Sequence, residues 1–125
     1  MESIEERLQE IKIEDYIWVI YIIIIILSWY ANSKEEDYLI NYNNKSKEEY
    51  RNIMIFIFAV LVIIYFYFTK DSYDGVKNLR NSDTEKKKYL TYASFIGSLL
   101  ILISGVIFLF IAISDEDIDV ELAFN

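Results

Sequence analysis

Apolar and charged positions along this chain do not interleave; they separate into blocks. Residues 16–31, 53–68 and 89–114 contain no Asp, Glu, Lys or Arg. Water-soluble helices and strands alternate the two classes with a period of 3.6 or 2, whereas a bilayer selects uninterrupted apolar runs. The pattern therefore predicts an all-α membrane protein, a bundle of three transmembrane helices at 16–31, 53–69 and 89–114. At 1.5 Å per residue the first two blocks each cover roughly 24 Å, a little less than the roughly 30 Å hydrocarbon core. Flanking aromatics and the stems of Lys and Arg make up the difference. The third block, with twenty-six residues, has length to spare and should tilt or protrude.

Three crossings put residues 1–15 and the basic loop 70–88 on one side, and the loop 32–52 and the acidic tail 115–125 on the other. Lys and Arg number eight on the first side and four on the second. By the positive-inside rule the N-terminus is cytoplasmic and the C-terminus extracytoplasmic. Lys86, Lys87 and Lys88, set directly against the third span, are the strongest orientation determinants. The first block is not a cleaved signal peptide, because an acidic segment precedes it where a basic one is required.

Helix starts are marked by Ser followed three residues later by Glu, the capping box that satisfies two orphaned backbone donors. It occurs at Ser3/Glu6, Ser33/Glu36, Ser46/Glu49 and Ser82/Glu85. The last two place the starts of the second and third helices near Lys47 and Asp83. Short interfacial helices are expected before the first span and near Lys34–Tyr42. In the former, Ile4, Leu8 and Ile11 share a face apart from the glutamates. Its acidic face is unsuited to anionic lipid, so that segment either docks against the basic loop Lys70–Lys88 or simply extends the first span into water.

Membrane helices associate through close backbone approach, which small residues permit. The third span concentrates them: Ala93, Ser94, Gly97, Ser98, Ser104, Gly105 and Ala112 fall within an arc of roughly 140° at 100° per residue. This face is expected to pack against the other two helices, which would make the third helix the centre of the bundle, or against a second copy. Aromatics at the block ends, among them Tyr16, Trp18, Trp29, Tyr30, Tyr65, Tyr67, Tyr89 and Tyr92, read as interfacial anchors.

Composition narrows the chemistry. The chain has no Cys, His or Pro and only three Gly. Thiol chemistry, imidazole bases and the broken helices of many transporters are thereby excluded. Proton relays and voltage sensors need a charge within a span, and none is present. No loop spacing matches a catalytic constellation, so no enzyme activity and no cofactor are expected. The tail carries Asp115, Asp117, Asp119 and Glu121, oxygen ligands that could hold a divalent cation, but without the glycine and spacing of an EF-hand loop. A solvated acidic end is the simpler account. The basic loop also contains Asp71, Asp74, Asp83 and Glu85, which argues against a nucleic-acid partner.

The segment from Lys86-Lys-Lys-Tyr-Leu-Thr-Tyr-Ala-Ser-Phe-Ile-Gly97 through the ending Asp115-Glu-Asp-Ile-Asp-Val-Glu-Leu-Ala-Phe-Asn125 resembles small uncharacterised three-helix membrane proteins of low-GC Gram-positive bacteria. The resemblance implies a bacterial plasma-membrane location and no particular activity. The expected role is that of a non-enzymatic accessory or structural subunit, with lipids and a membrane-protein partner or a second copy as its contacts. A self-assembling, holin-like pore former and an immunity-type protein are the alternatives. The acidic ending departs from the basic tail typical of holins.

Overall fold

The computed structural model describes residues 3–114 as three α-helices: α1 (Ile4–Asn41), α2 (Asn44–Lys77) and α3 (Glu85–Ser114). The chain divides into two units, Met1–Ile53 and Met54–Asn125. The first holds α1 and the opening turns of α2; the second holds the rest of α2 and α3.

Helix α1 runs unbroken for 38 residues. No Gly or Pro interrupts it, so the N-terminal segment, the first apolar block and the stretch 32–41 propagate as one helix. The separate interfacial helices expected before the first span and near Lys34–Tyr42 are therefore turns of α1 itself. Ser3 caps it, its Oγ accepting from the Glu6 amide at 3.1 Å, and Glu5 and Glu6 occupy the electropositive first turn.

The other capping boxes do not mark helix starts. Ser33 lies inside α1, where its Oγ donates to the Tyr30 carbonyl at 2.6 Å. The cap of α2 is Asn43, whose Oδ1 accepts from the amides of Lys45 and Ser46 at 3.0 and 3.3 Å. The cap of α3 is Thr84, its Oγ1 accepting from the Lys87 amide at 3.1 Å. Asn and Thr cap helices by the same chemistry as Ser, and here each lies a few residues from the expected start.

Two helices, α2 and α3, are long and apolar enough to cross a membrane; α1 is not among them. On length and apolarity the three expected spans thus reduce to two. The apolar block of α1 is diluted by Tyr16, Trp18, Tyr21, Ser28, Trp29 and Tyr30, where that of α2 contains only Tyr65 and Tyr67 as polar-tipped residues.

Within the second unit α2 and α3 form an antiparallel hairpin. Phe58 stacks on Phe108, Thr69 and Ser72 bond to Ser98, and Tyr73 meets Phe95, so positions rise along one helix as they fall along the other. Covered positions on α3 follow 91, 95, 98, 102, 105, 109 and 112; on α2 they include 54, 58, 61, 65, 68 and 72. Alternating steps of four and three residues are the spacing of a left-handed coiled-coil seam. Helix α2, not α3, is the most buried of the three. It buries Tyr50, Met54, Ile57, Phe58, Leu61, Ile64 and Thr69, whereas α3 buries Gly105 and Ala112.

Candidate functional site

The α2–α3 seam carries three of the seven expected packing residues, Ser98, Gly105 and Ala112, and its two ends differ in chemistry. Its apolar centre is at Gly105. A Cβ at that position would lie 2.9 Å from Tyr65 Cδ2 and 3.5 Å from Val62 Cγ2, so only glycine admits the Tyr65 ring against the α3 backbone. One turn away, the Phe58 and Phe108 rings stack with centroids 5.8 Å apart. Beside them lies an apolar crevice of about 280 Å³, floored by Gly105 and edged by Leu100, Ile101 and Ser104.

Towards the α2–α3 connection the seam turns polar. Thr69 Oγ1 donates to its own helix at Tyr65 O (2.8 Å) and lies 3.1 Å from the Ser98 carbonyl on α3. Ser72 and Ser98 share a hydroxyl–hydroxyl bond of 2.9 Å. Beyond them Tyr73 tilts against Phe95 and Gly75 faces Thr91. This pairing sets residues 98–114 of α3 level with 53–69 of α2, seventeen residues and about 25 Å on each helix. In the same register residues 89–97 fall level with 70–78, a stretch that includes Lys70, Asp71 and Asp74. The surplus length of the third apolar block is thus the part that accompanies the polar end of α2.

The small residues of α3 divide accordingly. Gly105 and Ala112 are buried and Ser98 bonds across the seam, while Ala93, Ser94, Gly97 and Ser104 are exposed. A Cβ at Gly97 would meet nothing within 4 Å. The covered face is rotated from the arc of small residues, because it is centred on Phe95, Leu102 and Leu109 as much as on the small ones. The signal that would have located it is the four-three spacing, which runs through large and small residues alike.

The connection is held by turns. The Arg80 amide donates to Asp83 Oδ2 at 2.8 Å and Lys87 Nζ lies 3.2 Å from Asp83 Oδ1, which together hold the Asp83 carboxyl below its ordinary range. Lys88 Nζ sits 3.7 Å from Glu85 Oε1. Of the three lysines that argue for orientation, Lys86 alone has no ion pair among the described residues. Of these, Lys86 and Lys87 line a cleft of about 510 Å³ at the head of the hairpin, together with Thr84 and Ser94 of the α3 side and Asp71 of α2.

In the first unit, Asp37 gathers the α1–α2 turn. Its carboxylate accepts from Asn41 Nδ2 at 2.7 Å, Asn43 Nδ2 at 2.9 Å and Ser46 Oγ at 2.5 Å. The hydrogen bond from Ser46, then that from Asn41, hold its carboxyl below the usual range. Lys34 Nζ meets Glu49 Oε2 at 2.8 Å across the same turn. Neither the turn nor the head of the hairpin groups three or more potential metal ligands among the described residues. The tail carboxylates Asp115, Asp117, Asp119 and Glu121 lie outside the described residues.

Compared with known proteins, the chain matches no family model, no curated protein and no solved structure.

Proposed function

We propose that this chain is a non-enzymatic integral membrane protein of the bacterial plasma membrane that crosses the bilayer three times and acts through helix packing, as an accessory or structural subunit. The observation that carries the reading is the bareness of α3. It is 30 residues long, its most apolar stretch is only 11 % buried, and Leu100, Val106, Ile107 and Phe110 are about half exposed or more. An apolar helix of a water-soluble core would be mostly covered; one in hydrocarbon has no reason to be. The level pairing of 53–69 with 98–114 supports the same reading, since about 25 Å lies close to the hydrocarbon thickness.

The third crossing, by α1, rests on residues 16–31. They carry no charge, include the run Ile22–Ile26, and end in Trp and Tyr residues suited to the headgroup level. Exposure of Ile22, Ile25 and Ile26 by more than half fits a lipid surround. With three crossings, the eight Lys and Arg of residues 1–15 and 70–88 share the cytoplasm.

The test uses the absence of Cys, which gives single cysteines no background. In Glu5→Cys, Glu48→Cys and Ser82→Cys, a membrane-impermeant maleimide applied to intact cells should label position 48 alone, with 5 and 82 labelled only after permeabilisation. Equal labelling of 5 and 48 would reduce the protein to two crossings. Recovery of the wild-type chain in the soluble fraction after an alkaline wash would overturn the membrane reading itself.

A further inference from the structure

We infer that the cleft at the head of the α2–α3 hairpin binds the phosphate group of an anionic phospholipid, an inference that rests on the membrane reading above. The cleft measures about 510 Å³ and opens between the last turns of α2 and the first turns of α3. Its level is set by the hairpin. The apolar run of α2 ends at Thr69, beside Ser98, and the cleft begins immediately beyond, at Asp71, Ser72 and Ser94. In a bilayer this is the height of the headgroups. Tyr89 and Tyr92, at 73 and 52 % exposure, stand on the same stretch of α3, as interfacial rings do.

The lining suits a phosphodiester attached to an acyl chain better than a free ion. Lys86 contributes an ammonium without an ion pair among the described residues, and Lys87 a second that it shares with Asp83. The Thr84 hydroxyl accepts the Lys87 amide and keeps its own proton for donation; the Ser94 hydroxyl has no partner among the described residues. Thr91 is spoken for, donating to the Lys87 carbonyl at 2.7 Å. Ser94 lies eight residues, about 12 Å, below Lys86, with Leu90 between them. A phosphate held at the lysines would therefore extend its glycerol past Leu90 towards Ser94, with the acyl chains continuing beyond Ser94 towards the apolar run of the hairpin. The long lysine stems allow both ammonium groups to reach down to the phosphate. Asp71 on the opposite wall carries an interaction of its own and opposes an anion. A monovalent phosphodiester therefore suits the cleft better than a multiply charged headgroup. Basic clefts between membrane helices on the cytoplasmic side are a general mode of anionic-lipid recognition.

The experiment is native mass spectrometry of the full chain in mild detergent, titrated with phosphatidylglycerol, with phosphatidylcholine and with inorganic phosphate. Wild type should retain phosphatidylglycerol about fivefold or more over phosphatidylcholine, from two lysines at roughly a fivefold effect each less the Asp71 opposition. The double variant Lys86→Gln/Lys87→Gln should fall to the phosphatidylcholine level. Lys77→Gln/Arg80→Gln, which removes the same charge outside the cleft, should keep the preference. An unchanged preference in the cleft variant, or an equal loss in both variants, overturns the inference. Full displacement of the lipid by millimolar inorganic phosphate also overturns it, assigning the cleft to a free anion. Circular dichroism of each variant confirms that the helices remain. Flotation with vesicles separates the two failures: a chain that floats with neutral and anionic vesicles alike but shows no headgroup preference loses only this inference, whereas one that stays in buffer loses the membrane reading.

Discussion

The α1–α2 turn and the α2–α3 seam join helices by opposite means. At the turn, three hydrogen bonds converge on one carboxylate, Asp37, and an ion pair joins Lys34 to Glu49; of these groups Ser46 is buried and the rest are exposed or half-exposed. In the seam, a glycine admits a ring, two Phe rings stack, and the polar groups are hydroxyls that bond to backbone or to each other. Water supplies the reason. Exposed charges are screened and replaceable, so several must cooperate to fix a geometry. On the proposed membrane reading the seam lies in hydrocarbon, where apolar side chains gain nothing by leaving lipid, so shape complementarity and a few hydroxyl bonds must supply the association. The turn should therefore answer to pH and the seam to volume.

The largest effect is expected at Gly105. Gly105→Ile places branched carbons where a single Cβ already lies 2.9 Å from Tyr65, and overpacking of this kind costs about 1–3 kcal/mol. Thermal unfolding in detergent should show a clear loss relative to wild type. Gly97→Ile, on the same helix with open space around it, should leave the unfolding transition within about 0.5 kcal/mol of wild type. Equal behaviour of the two variants would mean that the seam is not set by glycine at all.

A smaller effect, with a pH signature, is expected at Asp37. Its folded carboxyl is held below the unfolded value of about 3.9 by Ser46, Asn41 and Asn43. A depressed folded pKa contributes stability that is fully present above that unfolded value and is lost as pH falls through the folded one. Asp37→Asn should therefore unfold earlier than wild type at pH 7, and the gap between the two should close as the pH is lowered below about 4. Because Asp83 is present in both proteins, its own depressed carboxyl cancels in the difference. The groups are open to water, so the change should be smaller than that at Gly105. A gap that persists unchanged at low pH would show that the carboxylate charge has no part in holding the turn.

What could be read from the sequence divides along the same line. The apolar blocks, the small residues of the third block and the Ser3 cap are local patterns, and α2, α3 and the start of α1 follow them. The true caps Asn43 and Thr84 were hidden because Asn, Thr and Ser compete for the same role and only the backbone path chooses among them. The continuity of α1 through 32–41 was hidden because a charged stretch after an apolar block reads as a loop, although nothing in it breaks a helix. The seam was half legible. Small residues drew attention to Gly105 and Ala112, but the register that leaves Gly97 and Ser104 outside is set by Phe58, Tyr65 and Tyr73 on the partner helix. Pairing between distant segments is not written in either segment alone.

The smallest expected effect has the opposite sign and lies at Tyr42. It ends α1 with φ 54° and ψ 34°, the one non-glycine residue with positive φ among the described residues. An L side chain in this left-handed region costs roughly 1–2 kcal/mol, while glycine adopts it freely but loses roughly 0.5–1 kcal/mol more chain entropy on folding. The Tyr42 side chain is 83 % exposed, so its removal sacrifices almost no packing. Tyr42→Gly should therefore stabilise the turn by about 0.5 kcal/mol. Tyr42→Ala, which keeps the Cβ and hence the strain, should gain nothing. The pair distinguishes backbone strain from any contribution of the ring: if alanine stabilises as much as glycine, the tyrosine itself was the unfavourable element, and Asp37 with its three partners would be holding the turn against a side chain rather than against a dihedral angle.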